Sequence, residues 1–119
     1  MPNAIYTMEQ IKDIVKPIAN KYNVESIYLF GSYARGDATV DSDLDFLVFG
    51  GDKFKLTNIF ALAEELRIAF QRQVDVFEIS EINIDSDFYS TIMNERLNVA
   101  WNTLIINEFK KYVNMPKSF

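Results

Sequence analysis

Between Thr7 and Tyr22 the apolar residues Met8, Ile11, Val15, Ile18 and Tyr22 recur at helical spacing. Thr7-Met8-Glu9-Gln10 has the form of a capping box, so the pattern predicts a helix over about 7–22. Pro17 removes one backbone donor inside that helix and is expected to bend or loosen its middle. Residues 24–30 are rich in β-formers and stop at Gly31, which predicts a strand, and 43–49 reads as a second. From Lys55 to about Arg72, Leu56, Ile59, Phe60, Ala63, Leu66 and Phe70 form one stripe of an amphipathic helix. A third strand over 73–79 follows, then a helix over about 86–96 carrying Phe88, Ile92 and Met93 and a short extended piece near 99–101. Leu104, Ile105, Phe109 and Tyr112 suggest a final helix, with a frayed tail from about Asn114. This order implies one α/β domain over 1–119: a small mixed β-sheet with flanking helices.

Composition narrows the chemistry. The 119 residues are 49% hydrophobic and 24% charged, the balance of an ordinary folded globule. With no His, imidazole mechanisms are excluded, and with no Cys there is neither a thiolate nucleophile nor a disulfide. Carboxylates, hydroxyls or backbone must carry any reaction. The Met1-Pro2-Asn3-Ala4 start lacks a secretory signal and no apolar run reaches the length of a membrane span, so a cytoplasmic protein without a membrane partner is expected. The 12 Lys and Arg against 17 Asp and Glu give a net charge of −5, which argues against direct binding of bare nucleic acid. An acidic protein can still meet phosphates through a metal ion.

Three features coincide in and after residues 30–49. Gly31-Ser32 ends a strand and Gly36 lies five residues on, so the chain can turn sharply and offer backbone N–H groups and a hydroxyl to a phosphate. Asp43 and Asp45 are two residues apart on a strand, which places both carboxylates on one face about 6.5–7 Å apart along the chain. That spacing suits two metal ions in phosphoryl or nucleotidyl transfer, although for the pair alone a solvated polar strand start is the default. Asp75 stands between Val74 and Val76 where a sandwiched strand would carry an apolar residue. If the two strands are neighbours, three carboxylates meet at one end of a sheet face. Their repulsion would then call for a hard divalent cation such as Mg2+. Two rival motifs fail. An EF-hand counted from Asp41 has Phe46 at position six and Asp52 at position twelve, and no Gly-Lys-Ser/Thr follows Gly31 as a Walker loop requires. Five of the 17 acids, at 37, 41, 43, 45 and 52, lie between Arg35 and Lys53 with no basic residue among them, so the negative charge is concentrated here.

Gly31-Ser32, ten residues, Asp43-x-Asp45 and a later strand Asp75 together resemble the nucleotidyltransferases of the DNA polymerase β superfamily. The likeness is greatest to the minimal nucleotidyltransferase (MNT) family, with its Phe-Gly-Ser-x-Ala-Arg-Gly, Ser-Asp-x-Asp and Val-Asp-Val segments, matched here over 30–36, 42–45 and 74–76. The stretch Glu95-Arg96-Leu97-Asn98-Val99 departs from that pattern in lacking a Gly. The resemblance implies a mixed sheet, ATP as substrate and two Mg2+ ions. Asp43 and Asp45 would hold both ions. Asp75 would hold the catalytic one and help deprotonate the attacking hydroxyl, and Gly31 and Ser32 would bind the β and γ phosphates. Arg35 has two readings, a phosphate contact or an ion pair with Asp37 or another nearby acid. Asp41 and Ser42 are expected to cap the turn into the second strand, with Asp41 an outer candidate for the metal shell. Tyr33, beside the phosphate loop, is a candidate for base stacking, whereas Tyr28, Tyr89 and Trp101 read as core or interface aromatics.

Many MNT proteins are antitoxins of HEPN-domain RNase toxins. The resemblance therefore implies AMP transfer from ATP to a toxin tyrosine, within a hetero-oligomer. A chain of 119 residues is expected to leave the acceptor's binding to its partner. Two alternatives stay open: transfer to a small hydroxylated acceptor such as an aminoglycoside, and neutralisation of the toxin by occlusion without transfer. Occlusion gives three clustered acids no physical purpose.

Overall fold

A computed structural model describes residues 4–102. Helix α1 spans Met8–Lys21 and opens with the capping box foreseen: Thr7 Oγ1 accepts from the Gln10 N–H at 3.1 Å, and Gln10 Oε1 accepts from the Thr7 N–H at 2.9 Å. The helix continues through Pro17 to Lys21. Asn23, at φ 57°, takes the left-handed conformation that ends it, and the Val24 N–H closes back on the Ala19 carbonyl. Strand β1 (Ser26–Phe30) follows, then a one-turn helix α2 (Ser32–Arg35), strand β2 (Leu44–Phe49) and helix α3 (Ile59–Phe70). Strand β3 (Val74–Glu78), helix α4 (Asp87–Glu95) and strand β4 (Leu97–Trp101) complete the described residues. The anticipated final helix over 104–112 and the tail from Asn114 lie outside them.

The sheet is mixed, in the order β3-β2-β1-β4. β1 runs antiparallel to both β2 and β4, and β2 runs parallel to β3, the two joined through α3. Alternation along the strands divides the core between two faces. Ile27, Leu29, Phe46, Val48 and Val74 pack toward α1 and α3 with Ile11, Val15, Leu62, Leu66 and Phe70. On the other face Phe30, Leu47 and Phe77 meet Ile92 of α4. The short extended piece expected near 99–101 is a full edge strand.

The stripe on α3 differs from the one expected at two of its positions. Leu56 belongs to a 3₁₀ turn ahead of the helix and is half exposed, and Phe60 is 80% exposed. Ile59, Leu62, Ala63, Leu66 and Phe70 form the buried face. An apolar run entering a helix through a 3₁₀ turn changes its angular step, so residues before the turn fall out of phase with those after it. No helix among the described residues is long and apolar enough to cross a membrane.

Candidate active site

The strand registers assemble the site. Phe30 of β1 pairs with Asp45 of β2, and Asp45 in turn pairs with Asp75 of β3, so these three residues form one row across the sheet. Adjacent strands lie about 4.8 Å apart, which brings the Asp45 and Asp75 carboxyls within hydrogen-bonding reach of each other. Asp43, one residue ahead of β2, joins them in a pocket of about 500 Å³, the size of a small-molecule site. The polar lining is completed by Gly31, Ser32, Arg35, Thr91 and Glu95, and the apolar lining by Phe30, Phe77, Phe88 and Ile92.

The carboxylates are electrostatically frustrated. Burial pushes the Asp45 carboxyl up to about 6, reinforced by the negative charges of Asp75 and Asp43, and the more distant Arg35 offsets this only in part. An oxygen-only donor set with such repulsion has the chemistry of a hard divalent cation site. Among the described residues, no group of three or more His, Cys, Asp or Glu side chains already stands in an arrangement that could hold a metal ion. The donors are gathered in one pocket, and metal coordination would require their carboxyls to turn.

Gly31 and Ser32 sit where β1 breaks into α2. Gly31 adopts φ 75° and ψ −157°, a region open essentially to glycine alone. A β-carbon there would lie 2.2 Å from Asp45 Oδ2, so the loop backbone rests directly against the carboxylate. Gly36, at φ 82°, ends α2 after one turn and sends the chain away toward Asp43. Asp41 and Ser42 shape the return: Ser42 Oγ accepts from the Thr39 N–H at 2.8 Å, and the Asp41 N–H donates to Thr39 Oγ1 at 3.3 Å. Asp41 does not line the pocket.

Arg35 is engaged by acids. Its Nε lies 3.5 Å from Asp37 Oδ2 and its Nη1 3.3 Å from Glu95 Oε2, which is the ion-pair reading of this residue. Glu95 also accepts the Gly31 N–H through Oε1 at 2.8 Å. That contact spans 64 positions of chain, and no local motif could have signalled it.

Tyr33 is not available for base stacking. It is 7% exposed and part of the core beneath α1 and α3. Its hydroxyl accepts from Arg72 Nη1 at 2.7 Å and from the Tyr6 N–H at 3.3 Å. In a one-turn helix that carries Ser32 on the pocket side, the next residue points inward. The aromatic surface of the pocket comes instead from Phe30, Phe77 and Phe88, whose rings meet at 5.2–6.1 Å. Phe88 is 43% exposed at the pocket rim.

A strand-turn-helix segment at Gly31-Ser32 thus faces Asp43, Asp45 and Asp75 across one pocket. The family model described as "Polymerase beta, Nucleotidyltransferase" matches residues 9–100, and the chain belongs to that family of nucleotidyltransferases. It is 31% identical over 96 residues to the protein adenylyltransferase MntA of Thermococcus cleftensis, covering 77% of this chain and 95% of that one. Among solved structures, a toxin-antitoxin with AMP-PNP superposes with a TM-score of 0.65 at 22% identity, covering 87% of this chain and 85% of the other. A tri-AMPylated HEPN toxin of Shewanella oneidensis in complex with MNT antitoxin matches with a TM-score of 0.61 at 19% identity, covering 92% and 86%. These two likenesses establish the fold that the order of elements implied.

Proposed function

We propose that this nucleotidyltransferase is a protein adenylyltransferase, transferring AMP from ATP to a tyrosine hydroxyl of a cognate HEPN-domain toxin and so acting as its antitoxin in the cytoplasm. The observation that carries the reading is the Asp45–Asp75 row with Asp43 beside it, directly opposite Gly31 and Ser32 in one open pocket. The adenylyltransferase named among its relatives supports AMP as the transferred group, and the toxin complexes among its structural neighbours support the acceptor.

In this reading Ser32, carried on the turn that Gly31 makes, orients the β and γ phosphates, with the α phosphate beside Asp43 and Asp45. Those two carboxylates, with Asp75, would hold two Mg2+ ions, which when bound neutralise the acids and polarise the triphosphate. Asp75 accepts the tyrosine proton as the phenolate oxygen forms its bond to the α phosphorus. The bond from that phosphorus to the bridging oxygen breaks, and pyrophosphate leaves. The acceptor ring enters beside Phe77 and the rim residue Phe88. Arg35 serves through its pairs with Asp37 and Glu95, with no phosphate contact required of it.

The reading is tested by incubating the purified protein with ATP, Mg2+ and its toxin and weighing the toxin intact. A gain of one or more AMP units is expected, and none with Asp43→Asn. No gain with the wild-type protein, together with equal protection from toxicity by Asp43→Asn, would replace transfer by occlusion.

A further inference from the structure

Glu95 is the last residue of α4, where the helix dipole disfavours a carboxylate. It is nevertheless turned into the pocket, with its side chain only 17% exposed. Two donors compensate it there: the Gly31 N–H at 2.8 Å and the Arg35 guanidinium at 3.3 Å. Those are the groups at the phosphate loop that an incoming triphosphate would otherwise claim. The bond to Gly31 also acts at a tightly constrained point, because at its positive φ only glycine fits and a β-carbon would meet Asp45 Oδ2.

We infer that Glu95 is a positioning residue: its carboxylate ties the Gly31 backbone to the end of α4, holds the loop at fixed distance from Asp45, and leaves Ser32 as the loop's phosphate donor. The phosphate role of Ser32 rests on the nucleotidyl-transfer reading above, while the tie between Glu95 and Gly31 does not. A carboxylate that merely competed with phosphate would have the opposite effect on nucleotide binding, and the two are separable by sign.

The test uses the full chain, labelled for NMR, as wild type, Glu95→Gln and Glu95→Ala. Amide hydrogen exchange at Gly31 is followed without nucleotide, and the Kd for Mg2+-ATP is measured alongside. Glutamine retains an oxygen acceptor for the Gly31 N–H, so Glu95→Gln should keep the amide protected and the Kd within about threefold. Glu95→Ala should speed Gly31 exchange and weaken Mg2+-ATP binding by roughly tenfold or more, the scale for losing a hydrogen bond to a charged group. Other amides of β1 and β2 should keep their protection, which separates loop release from unfolding. Unchanged Gly31 exchange in Glu95→Ala would overturn the inference, as would tighter Mg2+-ATP binding by both variants. If the wild type binds no Mg2+-ATP, the nucleotide reading fails, and Gly31 exchange still decides whether Glu95 holds the loop.

Discussion

Asp45→Asn should make the metal-free protein more stable while abolishing its transfer activity. Asp45 carries a carboxyl pushed up to about 6 from an ordinary value of 3.8, first by burial and then by Asp75 and Asp43. The folded state therefore keeps this proton to a higher pH than the unfolded chain does. Stability contributed by the group declines as pH rises from about 4 to about 6, and the full penalty applies above that range. A rise of roughly two pH units corresponds to about 3 kcal/mol at full weight, which water around this partly exposed carboxyl reduces to ~1–2 kcal/mol. Asn removes the charge but keeps the shape and can donate a hydrogen bond to Asp75. In a chelator at pH 7, thermal unfolding of Asp45→Asn should lie roughly 4 °C or more above wild type. At about pH 4, where the wild-type carboxyl is protonated in the folded state, the gain should fall below ~0.5 kcal/mol. Adding Mg2+ at pH 7 should raise the wild-type midpoint more than that of the variant. No gain at pH 7, or a gain of equal size at pH 4, would refute the claim that the acids are crowded at the expense of stability.

Other substitutions test other parts of the site. Gly31→Ala must place a methyl group against Asp45 in a backbone region that alanine disfavours, so it should destabilise the fold by about 1–3 kcal/mol and eliminate transfer, read by denaturant unfolding and AMP incorporation. Asp75→Asn should lower kcat by about 10²–10⁴ with little change in the KM for ATP, as loss of a proton acceptor does; an equal rise in KM would assign Asp75 to nucleotide binding instead. Tyr33→Phe removes the hydroxyl that accepts from Arg72 and should lower stability by ~1 kcal/mol while leaving the KM for ATP unchanged, because the ring lies in the core.

The local features were the legible ones. Thr7 and Gln10 declare the start of α1 because a capping box is built from neighbours in sequence, and Asp43-x-Asp45 declares a shared face because strand periodicity is strict. The third acid was legible only conditionally. Asp75 interrupts an apolar strand, but its place beside Asp45 depends on β2 and β3 being adjacent and in register, which the sheet supplies. Tyr33 misled because proximity to the phosphate loop in sequence does not give direction, and α2 is too short to carry an amphipathic pattern. Leu56 misled because it belongs to the 3₁₀ turn ahead of α3, and Phe60 because it stands within α3 one position off the buried face that starts at Ile59. Glu95 left no signal: it reaches Gly31 through the packing of α4 on the sheet. Its burial and partners emerge only with the fold.

The central claim, that this acid cluster moves an AMP group rather than a phosphate, is tested most directly by following isotope. With Mg2+, the toxin and ATP labelled at either the α or the γ phosphate, the α label should become covalently attached to a toxin tyrosine. The γ label should leave as pyrophosphate, and Asp43→Asn should transfer neither. Retention of the γ label on the toxin, or of no label by toxin that the wild-type protein has nonetheless silenced, would contradict the account.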